Sequence, residues 1–390
     1  MLRNIISERE RELPISTIGK MLKICAESKS IISLGPGEPD FESPRNIIRA
    51  AQRALGKGMT HYSPVAGRTD FKEAVIRKLK KDNGIGAGEE NIIVTCGSTE
   101  AIMLALIATV DPGEGVMLPD PGFLSYMPTV EVLNGMPICI PLEEGKGFQL
   151  DVDIMEKAVV PEKTRVLIIN TPSNPTGTVL SRKTLEGVAD FVVEHGLLVL
   201  SDEAYEKFVY GDARHVSMGS LNGMEKYVMT LHSFSKTYAM PGFRLGYACG
   251  PEEVVGAMTK LHVFSSLCAP TVSQLAGIEA LRGPQGAVER MRREYDRRRR
   301  MIVKRVREVP GWSCLEPEGA FYAFPNVKSM GMESLRVSEW LLKEARVATI
   351  PGTEFGRMGE GFLRLSYATE YEKIERAMDR IERAVKKRKE

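Results

Sequence analysis

From about residue 90 the chain alternates short apolar, β-branched runs with segments of helical periodicity. The spacing predicts strands at Asn91–Cys96, Gly115–Leu118, Pro137–Pro141, Arg165–Asn170, Leu197–Ser201, Tyr227–Leu231 and Leu245–Cys249. Helical periodicity falls between them, at Thr99–Val110, Phe123–Leu133 and Ser181–His195. Runs such as Val166-Leu167-Ile168-Ile169 and Leu197-Leu198-Val199-Leu200 are apolar at consecutive positions, so both faces of those strands must be buried. A sheet tolerates this when helices cover both sides, which points to a mostly parallel α/β sheet through the middle of the chain.

After Leu281 the pattern changes to a long Arg-rich helical stretch reaching about Val309. Alternating signals follow: strands at Ala320–Phe324, Val347–Ile350 and Phe362–Ser366, a helix at Glu333–Glu344 and a charged helix from Tyr371. The expectation is a smaller α+β domain over 283–390, a large domain over 41–282, and a loop-rich segment 1–40 packing beside the smaller one. The basic run Arg290 to Arg307 is interleaved with Glu289, Glu294, Asp296 and Glu308, a pattern that suits a solvated helix face better than a nucleic-acid surface.

Composition narrows the class. Apolar residues are 43% of the 390 positions and charged residues 27%, which excludes collagen-like, coiled-coil and wholly disordered chains. At roughly 100–200 residues per domain, two or three packed units are expected. A net charge of +2 gives little pull toward nucleic acid or an anionic membrane. The six cysteines (Cys25, Cys96, Cys139, Cys249, Cys268 and Cys314) are scattered, with no C-x-x-C and no histidine at metal-ligand spacing beside any of them. They read as buried small hydrophobes in a reducing cytosol, with no disulfide and no metal site. The first ten residues carry acids where a signal peptide needs an apolar stretch, and no apolar run approaches the roughly 18 residues a bilayer requires. A cytoplasmic location is the expectation.

The segment richest in chemistry is Ser233-Phe234-Ser235-Lys236-Thr237-Tyr238-Ala239-Met240-Pro241-Gly242-Phe243-Arg244, just after a strand. Lys236 offers an amine for a Schiff base, with hydroxyl and cationic donors for a phosphate nearby. Asp202 stands at the carboxyl end of the Leu197–Leu200 run, where parallel sheets build their sites. It is either a helix cap or the partner of a cation such as a protonated ring nitrogen. Asn174, between Pro172 and Pro175, is either a turn residue or an amide donor toward a phenolate oxygen, and the Tyr205 hydroxyl is a second such donor.

Further segments fall in order along the chain: Leu34 through Phe41, Tyr62 through Gly67, Thr95 through Ala101, Asp120-Pro121-Gly122-Phe123, Pro317 through Tyr322, and Leu363 through Ala368. With those already quoted, they resemble the class I/II aminotransferases of the pyridoxal-phosphate fold type I superfamily over nearly the whole chain. That resemblance implies a mostly parallel, mixed seven-stranded sheet covered by helices on both faces, plus a smaller α+β domain. It implies that Lys236 holds pyridoxal 5′-phosphate covalently and then shuttles a proton, with Asp202 on the pyridinium nitrogen and Asn174 and Tyr205 at the ring hydroxyl. Ser98 and Thr99 at a helix N-terminus, with Ser233, Ser235 and Arg244, would hold the phosphate. Phe123 would lie on the ring face; taken alone it reads as a core aromatic. Arg364 would fork the substrate carboxylate, the alternative being a structural ion pair. Gly37 would let the backbone approach the substrate, or simply make a turn. Tyr62 would reach the phosphate of a neighbouring subunit, implying a homodimer with shared sites; taken alone it reads as half-buried packing.

One branch of that family that prefers aspartate carries a lysine where Thr99 stands, and some relatives carry Trp where Phe123 stands, so the donor is not fixed. The expected activity is ping-pong transfer from an aspartate, aromatic or alanine-type L-amino acid to a 2-oxo acid, plausibly 2-oxoglutarate. A lyase or decarboxylase on the same fold is the alternative. No phosphate-binding P-loop and no nucleophile elbow is present, and the Gly35-Pro36-Gly37 segment lacks the third glycine of a dinucleotide site.

Overall fold

The structure is a computed structural model describing residues 30–389, together with 5–7, 10, 11, 13, 19 and 28. Among the described residues the strands in chain order begin with β1 (Ile32–Ser33), β2 (Ile92–Thr95), β3 (Gly115–Asp120), β4 (Met136–Pro141), β5 (Thr164–Asn170) and β6 (Leu198–Asp202). They continue with β7 (Val228–Ser233), β8 (Gly246–Cys249), β9 (Tyr322–Ala323), β10 (Val347–Ala348), β11 (Ile350–Pro351) and β12 (Leu363–Ser366).

The seven-stranded sheet has the order β2-β8-β7-β6-β5-β3-β4. Pairings from β7 across to β4 are parallel, and β8 is antiparallel to both β7 and β2. Every strand except β8 therefore ends on one edge. Alternate residues of β5 serve opposite cores, as the apolar run requires. Val166 and Ile168 pack with Ile102, Ala105 and Met258 on one face, and Leu167 and Ile169 with Leu185, Val188 and Phe191 on the other. The fold is thus α/β, with helices on both faces of a mixed, mostly parallel sheet.

Beyond Arg282 one predicted strand is divided. Val347–Ile350 is not one strand: β10 pairs in parallel with β1, whereas β11 joins the antiparallel sheet β11-β12-β9. The switch falls at Thr349, whose carbonyl accepts the Ser338 hydroxyl at 2.8 Å instead of staying in one ladder. Of the segment 1–40, most of residues 1–29 lies outside the described residues, and Ile32–Ser33 is tied to Val347–Ala348.

The helix Gly286–Glu308 carries exposed arginines paired to Glu289, Glu294 and Asp296, as its interleaved charges suggest. Arg298 and Arg299 are the exceptions to a solvated face, at 5% and 7% exposure. Arg298 binds both carboxylate oxygens of Asp40 at 2.9 Å, and Arg299 donates to Glu316 at 2.6 Å and to the Pro317 carbonyl. These two fasten the helix to segments flanking Gly37 and Tyr322. The described cysteines are free, but Cys139 is exposed, because β4 is the edge strand of the large sheet; Cys25 lies outside the described residues. No helix among the described residues is long and apolar enough to cross a membrane.

The predicted helix Phe123–Leu133 begins only at Tyr126. The residues before it are held as a loop, in which the Gly122 N–H donates to the Phe355 carbonyl at 2.7 Å. Asp120, buried at the end of β3, accepts the backbone N–H groups of Arg357 at 3.1 Å and Met358 at 3.0 Å. That carboxylate ties the large sheet to the loop that precedes β12. Replacing Asp120 by Ala strands two amides whose loss of a partner costs about 1–3 kcal/mol each. Urea unfolding of Asp120→Ala is expected to show stability lower by about 2–4 kcal/mol; an unchanged midpoint would contradict this tie.

Candidate active site

A cavity of about 440 Å3 opens at the shared carboxyl edge of the large sheet, walled on its other side by β9, β12 and residues 35–38. It is lined by Gly37, Ser98, Thr99, Phe123, Asn174, Asp202, Tyr205, Ser233, Ser235, Lys236, Arg244 and Arg364. These residues span more than 300 positions in sequence, and the common strand direction is what brings them together. Tyr62 is not among them: it is 82% exposed, well beyond the half-buried packing its sequence alone suggests.

Lys236 projects from the short helix Phe234–Thr237 that follows β7, whose N-terminus is capped by Ser233 accepting from the Ser235 N–H at 3.2 Å. The Lys236 ammonium donates to the Gly37 carbonyl at 2.6 Å. Burial lowers its pKa to about 8; Glu38 pulls it back, while Arg364 and Arg244 push the same way as burial. An amine so placed is neutral in about a tenth of molecules at pH 7, far more than an ordinary lysine, as a nucleophile or proton carrier needs.

Asp202, at the end of β6, is 5% exposed. No helix follows it, so it is not a helix cap; one carboxylate oxygen accepts the Ala204 N–H at 3.1 Å in a local turn. The other accepts the Tyr126 hydroxyl at 2.8 Å. Burial raises its pKa, against the pull of Tyr126 and Ala204. A buried carboxylate with an elevated proton affinity suits a partner that carries a proton on nitrogen.

Arg364 lies in β12, 2% exposed, and no carboxylate pairs with it among the described residues. Its Nη1 donates to the Asn174 side-chain oxygen at 3.0 Å and its Nη2 to the Gly35 carbonyl at 2.5 Å, while Nε has no partner. The guanidinium lies over the rings of Tyr322 and Phe355, 4.5 and 4.8 Å from their centroids. A cation taken out of water and left without an anion calls for one from a ligand, so the ion-pair alternative fails. With its oxygen turned to Arg364, Asn174 keeps its amide N–H groups as the donors it can offer. The Tyr205 and Tyr322 hydroxyls meet at 2.7 Å, and burial pushes both phenols up, so they remain protonated donors. A Cβ on Gly37 would come within 2.4 Å of the Tyr322 hydroxyl, which only glycine permits. Its missing side chain thus makes room for a tyrosine as well as for a ligand.

At the opposite end of the cavity the helix Ser98–Thr109 starts behind Gly97, whose φ of 89° only glycine adopts readily. A Cβ there would meet the Arg244 guanidinium at 2.9 Å. Arg244, itself in the left-handed region at φ 51°, donates among the described residues to the backbone carbonyls of Pro241 and Cys96. Glu100 in the same first turn is bonded to the Cys96 N–H and to His262, and does not line the cavity. Helix amides, Ser233, Ser235 and an arginine without an acid make an anion seat. The two ends fit pyridoxal phosphate and an amino acid: a phosphate seat, an acid for a ring nitrogen, an amine for an aldehyde and a guanidinium for a carboxylate.

Sequence reasoning missed Tyr126, the side-chain donor to Asp202, and assigned no role to Tyr322 or Asn170. Asn170 donates to the Asp202 carbonyl at 3.0 Å and accepts from the Asn174 N–H at 2.8 Å. Tyr126 was detectable as a polar-tipped aromatic on an otherwise buried helix face.

Comparison with known proteins agrees with this geometry. Residues 29–381 match the family described as aminotransferase class I and II. The chain is 46% identical over 387 residues to an aromatic-amino-acid aminotransferase 2 of Thermococcus litoralis, covering 98% of this chain and 99% of that one. It is equally 46% identical over 377 residues to an aspartate aminotransferase of Pyrococcus abyssi, covering 96% of each. The crystal structure of an aromatic aminotransferase from Pyrococcus horikoshii superposes with a TM-score of 0.91 at 47% identity, over 96% of this chain and all of that one. On its sequence, its fold and the chemistry gathered in its cavity, the chain belongs to the class I and II aminotransferases, enzymes that use pyridoxal 5′-phosphate to transfer amino groups.

Proposed function

We propose that the chain moves the amino group of an aromatic L-amino acid to 2-oxoglutarate in two alternating half-reactions, with acidic donors as the second reading. The observation that carries the donor side is the apolar wall of Phe123, Leu124 and Tyr322 beside Arg364. Lys236, Arg244 and Arg364 are the cations among the described lining residues, and the reading uses all three for coenzyme and α-carboxylate. A distal carboxylate, on aspartate or on the acceptor, is then met by a partner subunit in a cytoplasmic homodimer, to whose phosphate the exposed Tyr62 would reach. The printed names of relatives include both aromatic and aspartate aminotransferases, which supports keeping both donors. The quoted relatives lend no support to lyase chemistry. The division at residues 41–282 and 283–390 belongs to the same reading, with Asp120 as the tie between the parts.

Bound pyridoxal phosphate supplies an aldehyde for the amino group and a ring that accepts the electron pair left at the substrate Cα. In our reading Arg364 fixes the α-carboxylate through its free Nε side, aligning the Cα–H bond toward Lys236. Nζ of Lys236 would take that proton and hold it for return to the coenzyme. Asp202, held by Tyr126, keeps a proton on the ring nitrogen. The amide of Asn174 and the hydroxyl of Tyr205 donate to the ring oxygen, and Phe123 restrains the ring face. Ser98, Thr99, Ser233, Ser235 and Arg244 would hold the phosphate and so retain the coenzyme independently of Lys236.

Three measurements test this reading. Lys236→Ala is expected to keep coenzyme bound through the phosphate seat yet lose turnover by about a thousandfold or more; near-normal turnover would remove the lysine from the chemistry. Mixing holoenzyme with single amino acids should convert the coenzyme's visible band for aromatic donors more readily than for aspartate, and 2-oxoglutarate should restore it. Keto acid and ammonia released without that conversion would favour the lyase. Because the buried amine titrates near 8 and reacts only when neutral, uptake of pyridoxal phosphate by the coenzyme-free chain should quicken with rising pH and level off above about 8. A rate still climbing past about 10 would place the amine in the ordinary lysine range.

A further inference from the structure

Behind Asp202 lies a second set of buried polar groups that the reaction does not touch. Side chains alternate along a strand, so Asp202 and Ser233 face the cavity while Glu203 and His232 face the other way. Glu203 is wholly buried. Its carboxylate accepts the Ser201 hydroxyl at 3.0 Å and the Ser217 hydroxyl at 2.5 Å, and lies 2.9 Å from Nε2 of His215 and 3.4 Å from the Asn83 amide. The neighbouring Glu206 pairs with Lys78, and Asn83 bonds to both, at 2.8 and 2.7 Å. His232 lies between the two acids, 3.9 Å from Glu203 and 3.7 Å from Glu206. Burial brings it to about 4, so it is neutral near pH 7. Glu203, Glu206 and His232 are close enough to hold a metal ion, but the cation paired there is the Lys78 ammonium.

The charges do not simply cancel. Lys78 neutralises Glu206, and Glu203 is left with two hydroxyls, an amide and His215. A neutral side chain would fill the same space without the desolvation cost of a buried carboxylate. The backbone shows what that carboxylate is tied to: the Glu203 N–H donates to the Leu231 carbonyl at 2.9 Å, extending the β6–β7 ladder beyond Asp202.

We infer that Glu203 is a positioning residue for the transfer reaction, fixing the Asp202–Glu203 peptide from behind and placing a second buried carboxylate behind the one that faces the coenzyme ring. This rests on the proposed pairing of Asp202 with the ring nitrogen. The groups facing Glu203 come from every side: Lys78 and Asn83 from the segment 69–83, Glu206 from its own loop, His215 and Ser217 from the next, and His232 from β7. Tyr247 of β8 lies against His232 with ring centroids 4.9 Å apart. A neighbouring anion makes Asp202 the stronger proton acceptor and favours the cationic forms of the bound coenzyme.

The test uses holoenzyme and the pH midpoint of its visible coenzyme band. Glu203→Gln is expected to lower that midpoint by about half a unit or more. It should also cut kcat by about tenfold or more while KM moves by less than about threefold. Glu203→Asp, which keeps the charge, should restore the midpoint. An unchanged midpoint and kcat in Glu203→Gln, with only a lower melting temperature, would make the cluster purely structural and overturn the inference. Should that variant fail to fold, Glu203→Met removes the charge while filling similar volume without a polar group to satisfy: a lower midpoint supports the inference, and an unchanged one overturns it. Asp202→Asn separates the two readings. If it leaves the midpoint unmoved, the pairing of Asp202 with the ring nitrogen has failed; if it shifts the midpoint and Glu203→Gln does not, only the role of Glu203 has.

Discussion

Arg364 carries a positive charge into the interior with no acid pairing it among the described residues, and it shares its cavity with the part-buried Lys236 and the exposed Arg244. Taking an ion out of water costs several kcal/mol, and folding normally offsets this with a paired counter-ion. Here the compensation is partial: carbonyls of Gly35, Gly37, Pro241 and Cys96, the side-chain oxygen of Asn174, and the rings of Tyr322 and Phe355. What is withheld is anionic charge, and the ligands of an aminotransferase bring it as a phosphate and a carboxylate. The site is thus preorganised for binding at the expense of stability, as functional sites often are.

The fold makes that arrangement possible through strand direction. Because every strand of the large sheet but β8 ends on one edge, Asn170, Asp202 and Ser233 stop at the cavity, and Thr95 and Asp120 stop just before Gly97 and Phe123, which also line it. The three-stranded sheet supplies Arg364 and Tyr322 from the far wall, and Ser366 pairs with Tyr322 in its ladder. Asp120 and the two buried arginines of the helix Gly286–Glu308 then fix how that wall meets the rest. Helix and strand patterning therefore acts on function mainly by deciding which residues share an edge.

Much of this was legible before any coordinates. The doubly apolar run Val166–Ile169 requires a sheet covered on both faces, and its two sets of neighbours lie where that pattern demands. Lys236, Asp202 and Arg364 stood out because each sits beside a strand end or inside an apolar strand, where a charge needs a reason. The partner of Tyr126 was not legible, because Asp202 lies 76 positions away, and the contact of Glu203 with Asn83 likewise spans 120 positions. Periodicity carries no information about such pairs. The split of Val347–Ile350 between two sheets was hidden in the same way, since both halves are apolar and β-branched and only their partners differ. Tyr62 is exposed and does not line the cavity of its own chain.

The central claim is that one amine, that of Lys236, forms the covalent link to the coenzyme. Reducing the holoenzyme with borohydride and mapping its peptides tests this most directly. The account predicts a stable coenzyme adduct on the peptide that contains Lys236 and on no other. An adduct on a different lysine, or none from fully loaded protein, would contradict it.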